Sequence, residues 1–187
     1  MPELPEVETI RRGLAEVLPG KAIKRVEVRL PKAWQNAGPE GLDRILGAKV
    51  TGIERRGKAI MIGLTSGITL LIHLKMTGQL IYREKKHLVL AGGHPTGDIG
   101  LGEYPVKATH VILTFRDGSE LFFNDQRTFG YIKPLLVEEL ANVPLLKTLG
   151  PEPLERSFTI AKFRERLARR PNAKLLPAST LLANGSG

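Results

Sequence analysis

The sequence predicts an α+β fold that consists chiefly of antiparallel β-strands and opens with one helix. Apolar residues recur at helical spacing near the start of the chain, at Val7, Ile10, Leu14 and Leu18. From residue 22 onward apolar residues recur instead at a spacing of two, which is typical of half-buried strands. Asp117 and Gly118 then separate two such strands and form the strongest hairpin signal in the chain.

The opening helix is expected over about residues 5–18. Pro5 suits a first helical position, and Glu6 and Glu8 complement the positive end of the helix dipole. A Pro-Gly pair at residues 19–20 ends this helix. We expect a half-buried strand over residues 22–30 to follow it.

The middle of the chain predicts further strands. Residues 49–82 read as consecutive antiparallel strands, with turn signals at 56–58 and 65–67. Residues 83–107 are rich in Gly, Pro and Lys without a clear period, which predicts a long, mobile loop. Two more strands are expected within residues 109–125.

We expect one domain over residues 1–150 and a shorter segment over residues 151–187. The shorter segment contains a Pro-rich connector and a helix that Ser157 or Thr159 can cap. Most of this helix is basic, with Lys162, Arg164, Arg166, Arg169 and Arg170.

The charge balance points to a polyanionic partner. Among 187 residues, 28 are Lys or Arg and 19 are Asp or Glu, which gives a net charge of +9. Such a field attracts polyanions, and nucleic acid is the first candidate. A generically basic protein without a nucleic-acid partner is the alternative.

The sequence contains no Cys, which excludes disulfides and thiolate zinc sites. It contains no apolar run of 18 or more residues and no signal-peptide pattern at its start. We therefore expect a cytoplasmic protein that needs no cofactor.

The first residues can carry chemistry. Removal of Met1 would expose the secondary amine of Pro2, and a terminal amine titrates near pH 8 rather than near 10.4 as lysine does. Such an amine attacks a carbonyl or a sugar C1′ and forms an iminium, while Glu3 or Glu6 can move protons. The alternative is that Pro2 and Pro5 only shape the start of a helix.

The segment MPELPEVETIRR resembles the N-terminal signature of the formamidopyrimidine-DNA glycosylase family, bacterial enzymes that excise oxidised purines and then cleave the abasic site. Four further segments resemble landmarks of that family in the family's order: ERRGKAIMI at 54–62, LIHLKMTGQL at 71–80, LFFNDQRTFGYI at 121–132 and LGPEPL at 149–154. The resemblance covers roughly residues 1–170. It implies an antiparallel two-sheet β-sandwich with the N-terminal helix packed beside it.

The resemblance also implies catalytic roles. Pro2 would be the Schiff-base nucleophile at C1′, Glu3 the general acid and base at the sugar, and Glu6 the residue that holds the hydrogen bonds of the site. Lys58 would stabilise charge near the scissile phosphate from its hairpin turn. Pattern alone would make Lys58 an exposed turn lysine.

Base excision requires that the target nucleotide leave the duplex and that other groups fill the space. The resemblance assigns this filling to Met76, Arg127 and Phe129, and places His73 near the DNA backbone. Without the resemblance, Met76 and Phe129 would be core residues, Arg127 a solvated turn residue and His73 a hydrogen-bonded core histidine.

The family continues with a helix-two-turn-helix module and, in most members, a four-Cys zinc finger, whereas this chain carries at most the start of the helical module. We expect a truncated catalytic domain that acts as a monomer on double-stranded DNA with oxidised bases or abasic sites, near the nucleoid. A catalytically weak or silent DNA-binding fragment stays open as an alternative. The basic charge and the ordered family landmarks disfavour a third interpretation, an N-terminal-proline enzyme that acts on a small keto acid.

Overall fold

The structure is a computed structural model that describes residues 2–35, 39–85, 87–93, 104–155 and 157–168. The chain divides into two compact units, residues 1–137 and residues 138–187. Among the described residues, no helix has the length and apolar character that crossing a membrane requires.

The described residues of the first unit form two helices and nine strands. The helices are α1 (Leu4–Val17) and α2 (Pro39–Ile45). The strands are β1 (Ile23–Val28), β2 (Val50–Arg56), β3 (Ala59–Leu64), β4 (Ile68–His73), β5 (Gly78–Glu84), β6 (His87–Gly93), β7 (Thr109–Phe115), β8 (Glu120–Asp125) and β9 (Tyr131–Leu136). Short 3₁₀ turns lie at Pro31–Ala33 and Val137–Asn142, the second of which runs into the second unit.

The strands form two antiparallel sheets, one in the order β1-β7-β8-β5-β6 and one in the order β2-β3-β4-β9. Side chains of both sheets and of α1 share one core, with Tyr82 and Phe123 from the first sheet and Ile60 and Leu70 from the second. The predicted α+β fold with an antiparallel sandwich and an N-terminal helix is therefore confirmed.

Helix α1 packs against β6 and β2, which are edge strands of the two different sheets. Two glycines permit the close approach to β6. A Cβ on Gly92 would lie 2.3 Å from Cγ1 of Ile10, and a Cβ on Gly13 would lie 2.6 Å from Cδ1 of Leu90. The helix therefore covers one open side of the sandwich and leaves its N-terminal end free to carry a site.

The prediction of a long, mobile loop over residues 83–107 is wrong for the first half of this range. Residues 87–93 form β6, which pairs antiparallel with β5. The period of two is hidden because Leu88 and Val89 are both exposed on an edge strand and Gly92 stands where the helix leaves no space for a side chain. Residues 94–103 lie outside the described residues.

The second unit contains the short helix α3 (Pro144–Lys147) and helix α4 (Ile160–Ala168). Of the two predicted caps for α4, Thr159 fills the role, because its Oγ1 accepts a hydrogen bond from the Lys162 N–H at 3.3 Å. The expected basic residues Arg169 and Arg170 lie outside the described residues.

The fit between Gly92 and Ile10 gives a first prediction. Gly92→Ala would force a methyl group against a fully buried, β-branched side chain, so we expect the free energy of unfolding to fall by about 1–3 kcal/mol. Gly52→Ala is the matched control, since a Cβ there meets nothing within 4 Å. Urea unfolding of both variants measures the difference, and equal stability of the two would contradict the packing described for α1.

Candidate functional site

The N-terminal end of α1 is organised by a local hydrogen bond. Glu3 is the N-cap residue, and its backbone N–H donates to Oε2 of Glu6 at 2.7 Å. Pro5 occupies the second helical position, one later than predicted. Pro2 is buried and the Glu3 side chain is exposed. Glu6 therefore fixes the backbone from which Glu3 projects and to which Pro2 is joined.

Lys58 comes to this end of the helix from a hairpin turn. Gly57 and Lys58 form the two-residue connection between β2 and β3, and Gly57 has a φ of 56°, which glycine adopts without strain. The Nζ of Lys58 lies 3.0 Å from Oε2 of Glu3. The structure thus brings Lys58 to the Pro2-Glu3 pair, although Lys58 follows that pair by more than fifty residues in the chain.

A buried arginine joins the helix to the same hairpin. Arg55 has a side chain that is only 3% exposed, and its Nε donates to Oε2 of Glu8 at 2.9 Å. Its Nη1 donates to the backbone oxygen of Gly57 at 2.8 Å. One guanidinium therefore connects the first turns of α1 to the turn that carries Lys58.

Glu8 also accepts hydrogen bonds from Arg11 and Arg12 at 2.8 and 2.9 Å. The hydrogen bond from Arg11, with further ones from Arg55 and Arg12, outweighs the effect of burial and lowers the pKa of Glu8 from 4.5 to about 2. From the sequence, Glu8 is expected only to complement the helix dipole, and Arg55 is a site residue that was not predicted. The signal was present, because Arg55 lies two residues after the buried Ile53 in β2 and an arginine on the apolar face of a strand requires a partner.

The register of the second sheet places the remaining predicted residues at the same edge. His73 at the end of β4 pairs with Ala59, directly after Lys58, and with Tyr131 at the start of β9. Met76 follows β4 in the segment 74–77, here called the Met76 turn. Arg127 and Phe129 precede β9 in the segment 126–130, here called the Phe129 loop. The start of β3, the end of β4 and the start of β9 therefore deliver all of these residues to one end of the sheet.

The side chains predicted to fill a gap in the DNA are exposed. Met76 is 38% exposed and Phe129 is 53% exposed, so neither is a core residue. The guanidinium of Arg127 lies 5.1 Å from the centroid of the Phe129 ring. An apolar side chain, an aromatic ring and a cation are thus presented together on the surface.

His73 is buried and its Nδ1 accepts a hydrogen bond from the Lys75 N–H at 3.0 Å. Burial, together with the charges of Lys75 and Lys58, lowers the pKa of His73 from 6.5 to about 4. The imidazole is therefore neutral near pH 7 and, because Nδ1 is an acceptor, carries its proton on Nε2. A neutral N–H donor of this kind can hydrogen-bond a phosphate oxygen.

Within the described residues, no group of three or more His, Cys, Asp or Glu side chains is arranged to hold a metal ion. At this edge the described side chains supply an ammonium, carboxyl groups, an imidazole and a guanidinium.

A family model described as the formamidopyrimidine-DNA glycosylase N-terminal domain matches residues 1–132. The formamidopyrimidine-DNA glycosylase of Pelotomaculum thermopropionicum is 40% identical over 178 residues, which is 95% of this chain and 58% of that protein. The enzyme of the same name from Bradyrhizobium diazoefficiens is 41% identical over 167 residues, which is 86% of this chain and 54% of that protein. The chain thus spans somewhat more than half the length of these curated relatives.

Solved structures show the same similarity. The Lactococcus lactis formamidopyrimidine-DNA glycosylase bound to DNA with an abasic site superposes with a TM-score of 0.75 at 27% identity, over 98% of this chain and 65% of that one. MutM in complex with DNA that contains carbocyclic 8-oxo-G superposes with a TM-score of 0.74 at 28% identity, over 98% of this chain and 65% of that one.

The low pKa of Glu8 makes part of the stability pH-dependent. Because the folded state binds this proton only near pH 2 and the unfolded state near pH 4.5, the stabilisation is complete above pH 4.5 and is lost as the pH falls toward 2. Its upper limit is about 3 kcal/mol. We expect Glu8→Gln to lower the free energy of unfolding at pH 6 and to approach the parent protein at pH 2, as measured by urea unfolding. Glu16→Gln, an exposed change in the same helix, is the control, and a constant difference across this range would contradict the assignment.

Proposed function

The chain belongs to the formamidopyrimidine-DNA glycosylase family, and we propose that it removes oxidised purines, such as formamidopyrimidine and 8-oxoguanine, from duplex DNA and then cleaves the strand at the abasic site. The observation that carries the proposal is the contact of 3.0 Å between Lys58 and Glu3, directly beside Pro2. Through this contact the cation of Lys58 lies beside Glu3, the proposed proton carrier, which directly follows Pro2, the proposed nucleophile, in the family's N-terminal motif.

The proposed reaction begins after removal of Met1, when the lone pair of the Pro2 nitrogen is free to attack C1′ of the damaged nucleoside. The bond between C1′ and the base breaks, and the base leaves with the proton that the Pro2 nitrogen loses as it bonds to C1′. The Glu3 carboxyl group then passes a proton taken from solvent to the ring oxygen as the sugar opens, which yields an iminium between Pro2 and C1′. Because the iminium withdraws electrons, a C2′ proton can be removed and the 3′ phosphate leaves by elimination, which cuts the strand.

Lys58 has two partners in this scheme. In the free protein its ammonium holds the exposed carboxylate of Glu3. When DNA is bound, the same ammonium can turn to a phosphate oxygen near the scissile bond. Glu6 helps to position Glu3 for proton transfer, since its carboxylate accepts the Glu3 backbone N–H. The geometry therefore supports a proton carrier whose position is set before the substrate arrives.

The exposed residues at the same edge support a role in base extrusion. Met76 and Phe129 can enter the stack where the damaged nucleotide leaves, and Arg127 can donate hydrogen bonds to the unpaired base opposite. The Nε2–H of His73 can contact the DNA backbone.

We infer that the partner is double-stranded DNA with oxidised bases or abasic sites, bound by a monomer in the cytoplasm alongside the nucleoid. The net charge of +9 supports a polyanionic partner.

Borohydride trapping on a duplex with an abasic site tests the chemistry. Reduction of the iminium leaves a covalent adduct, which we expect from the parent protein and expect to fall more than about tenfold in Pro2→Gly, since a primary amine replaces the ring nitrogen. Glu3→Gln should slow the reaction by about a hundredfold, whereas Glu16→Gln should match the parent protein. Absence of an adduct, with mass spectrometry confirming the loss of Met1, would show that the chain does not perform the chemistry and that its function, if any, is binding.

The role of Met76 is tested by comparing two substrates. We expect Met76→Ala to reduce excision of 8-oxoguanine from a duplex by about tenfold more than it reduces cleavage at a preformed abasic site, because only the first substrate requires that a base be extruded. Leu88→Ala is a suitable control, since Leu88 is exposed to a similar degree on β6. Equal losses on the two substrates would remove Met76 from the extrusion step.

A further inference from the structure

We propose that Asp125 is a positioning residue that holds the Met76 turn and the Phe129 loop together, so that Met76, Arg127 and Phe129 meet the DNA as one unit. The inference rests on the proposed function. It goes further in naming a residue that touches neither the base nor the reacting atoms and acts through the side chains that do.

The carboxyl group of Asp125 accepts hydrogen bonds from both segments. Asp125 lies at the end of β8 and is 1% exposed. Its Oδ1 accepts from the hydroxyl of Thr77 in the Met76 turn and from the Arg127 N–H at 3.2 Å. Its Oδ2 accepts from the Gly130 N–H at 2.6 Å. One buried side chain therefore holds the last residue of the Met76 turn and two backbone N–H groups of the Phe129 loop.

Thr77 completes the link between the two segments. While its hydroxyl donates to Asp125, its Oγ1 also accepts from the Arg127 N–H at 3.0 Å. The backbone of Arg127 is thus held by a side chain of the Met76 turn as well as by Asp125. Gly78 of β5 pairs with Asp125 of β8, which brings the two segments side by side, and these bonds extend the link to Met76 and Arg127, which lie beyond the ends of the strands.

The backbone of the Phe129 loop needs such support. Thr128, between Arg127 and Phe129, has a φ of 57°, a conformation that is unfavourable for a β-branched residue. Its N–H donates to the backbone oxygen of Asp125 at 3.3 Å. The same oxygen accepts from Nε2 of His110 in β7 at 2.6 Å, which anchors Asp125 to the neighbouring strand. Asp125 therefore supports the strained residue that directs Arg127 and Phe129 outward.

The pair Thr77→Val and Thr77→Ser tests the proposal. Valine keeps the shape of threonine and removes the hydroxyl, whereas serine keeps it. We expect Thr77→Val to reduce excision of 8-oxoguanine from duplex DNA by about tenfold more than cleavage at a preformed abasic site, as one lost hydrogen bond of this kind would do. Thr77→Ser should restore the ratio of the parent protein. Asp125→Asn should also reduce excision more than abasic-site cleavage, because an amide NH2 group, which donates, replaces one of the two acceptor oxygens.

A change in this ratio separates positioning from a general loss of stability, which would lower both activities alike. Equal losses on the two substrates in Thr77→Val, or a parent-like ratio, would overturn the proposal. Failure of the proposed function looks different, since the parent protein itself would then give no adduct and no excision. In that case amide hydrogen exchange of the protein without DNA tests the positioning role. Exchange of the Arg127 and Gly130 amides about tenfold faster in Thr77→Val than in Thr77→Ser supports the positioning role, and equal rates overturn it.

Discussion

The geometry of the site depends on the buried guanidinium of Arg55. This one group bonds a carboxylate in α1 and a backbone oxygen in the β2–β3 hairpin, so it sets the distance between a helix and a turn that no strand pairing connects. Since Glu3 belongs to the helix and Lys58 to the turn, their contact follows from that distance. A buried charge of this kind is tolerated because Glu8 neutralises it and the Gly57 oxygen accepts a further N–H.

The antiparallel topology supplies the rest of the arrangement. In neighbouring antiparallel strands the start of one lies beside the end of the next, and strands are spaced about 4.8 Å apart. Ala59, His73 and Tyr131 are consecutive partners across three strands, so the segments next to them leave the sheet side by side. The residues proposed to act at the sugar and those proposed to fill the gap in the DNA therefore lie near one end of the second sheet, within the first of the two compact units.

The sequence predicted the parts of the fold that local patterns determine. Helix α1 and the β7–β8 hairpin follow from apolar spacing and from the Asp117-Gly118 pair, whose turn closes with a Gly118 N–H to Phe115 O bond of 3.0 Å. Strand β6 was missed because its pattern is set by the helix that covers it. The approach of Lys58 to Glu3, the pairing of Arg55 with Glu8 and the bonds of Asp125 depend on tertiary contacts between distant segments. The family motif pointed to the residues proposed to face the substrate, whereas the partners of the buried polar residues behind them lie in distant segments that local patterns do not bring together.

The two glycines between α1 and β6 have a consequence for how this domain can change over evolution. Gly13 faces Leu90 and Gly92 faces Ile10. At each of these two contacts a glycine on one element leaves room for a large side chain on the other. A larger residue on one side is compatible with the same docking only if its counterpart becomes smaller. Substitutions at these four positions should therefore be inherited in pairs, and the constraint that preserves the place of Pro2 would be visible as covariation in residues that never approach a substrate.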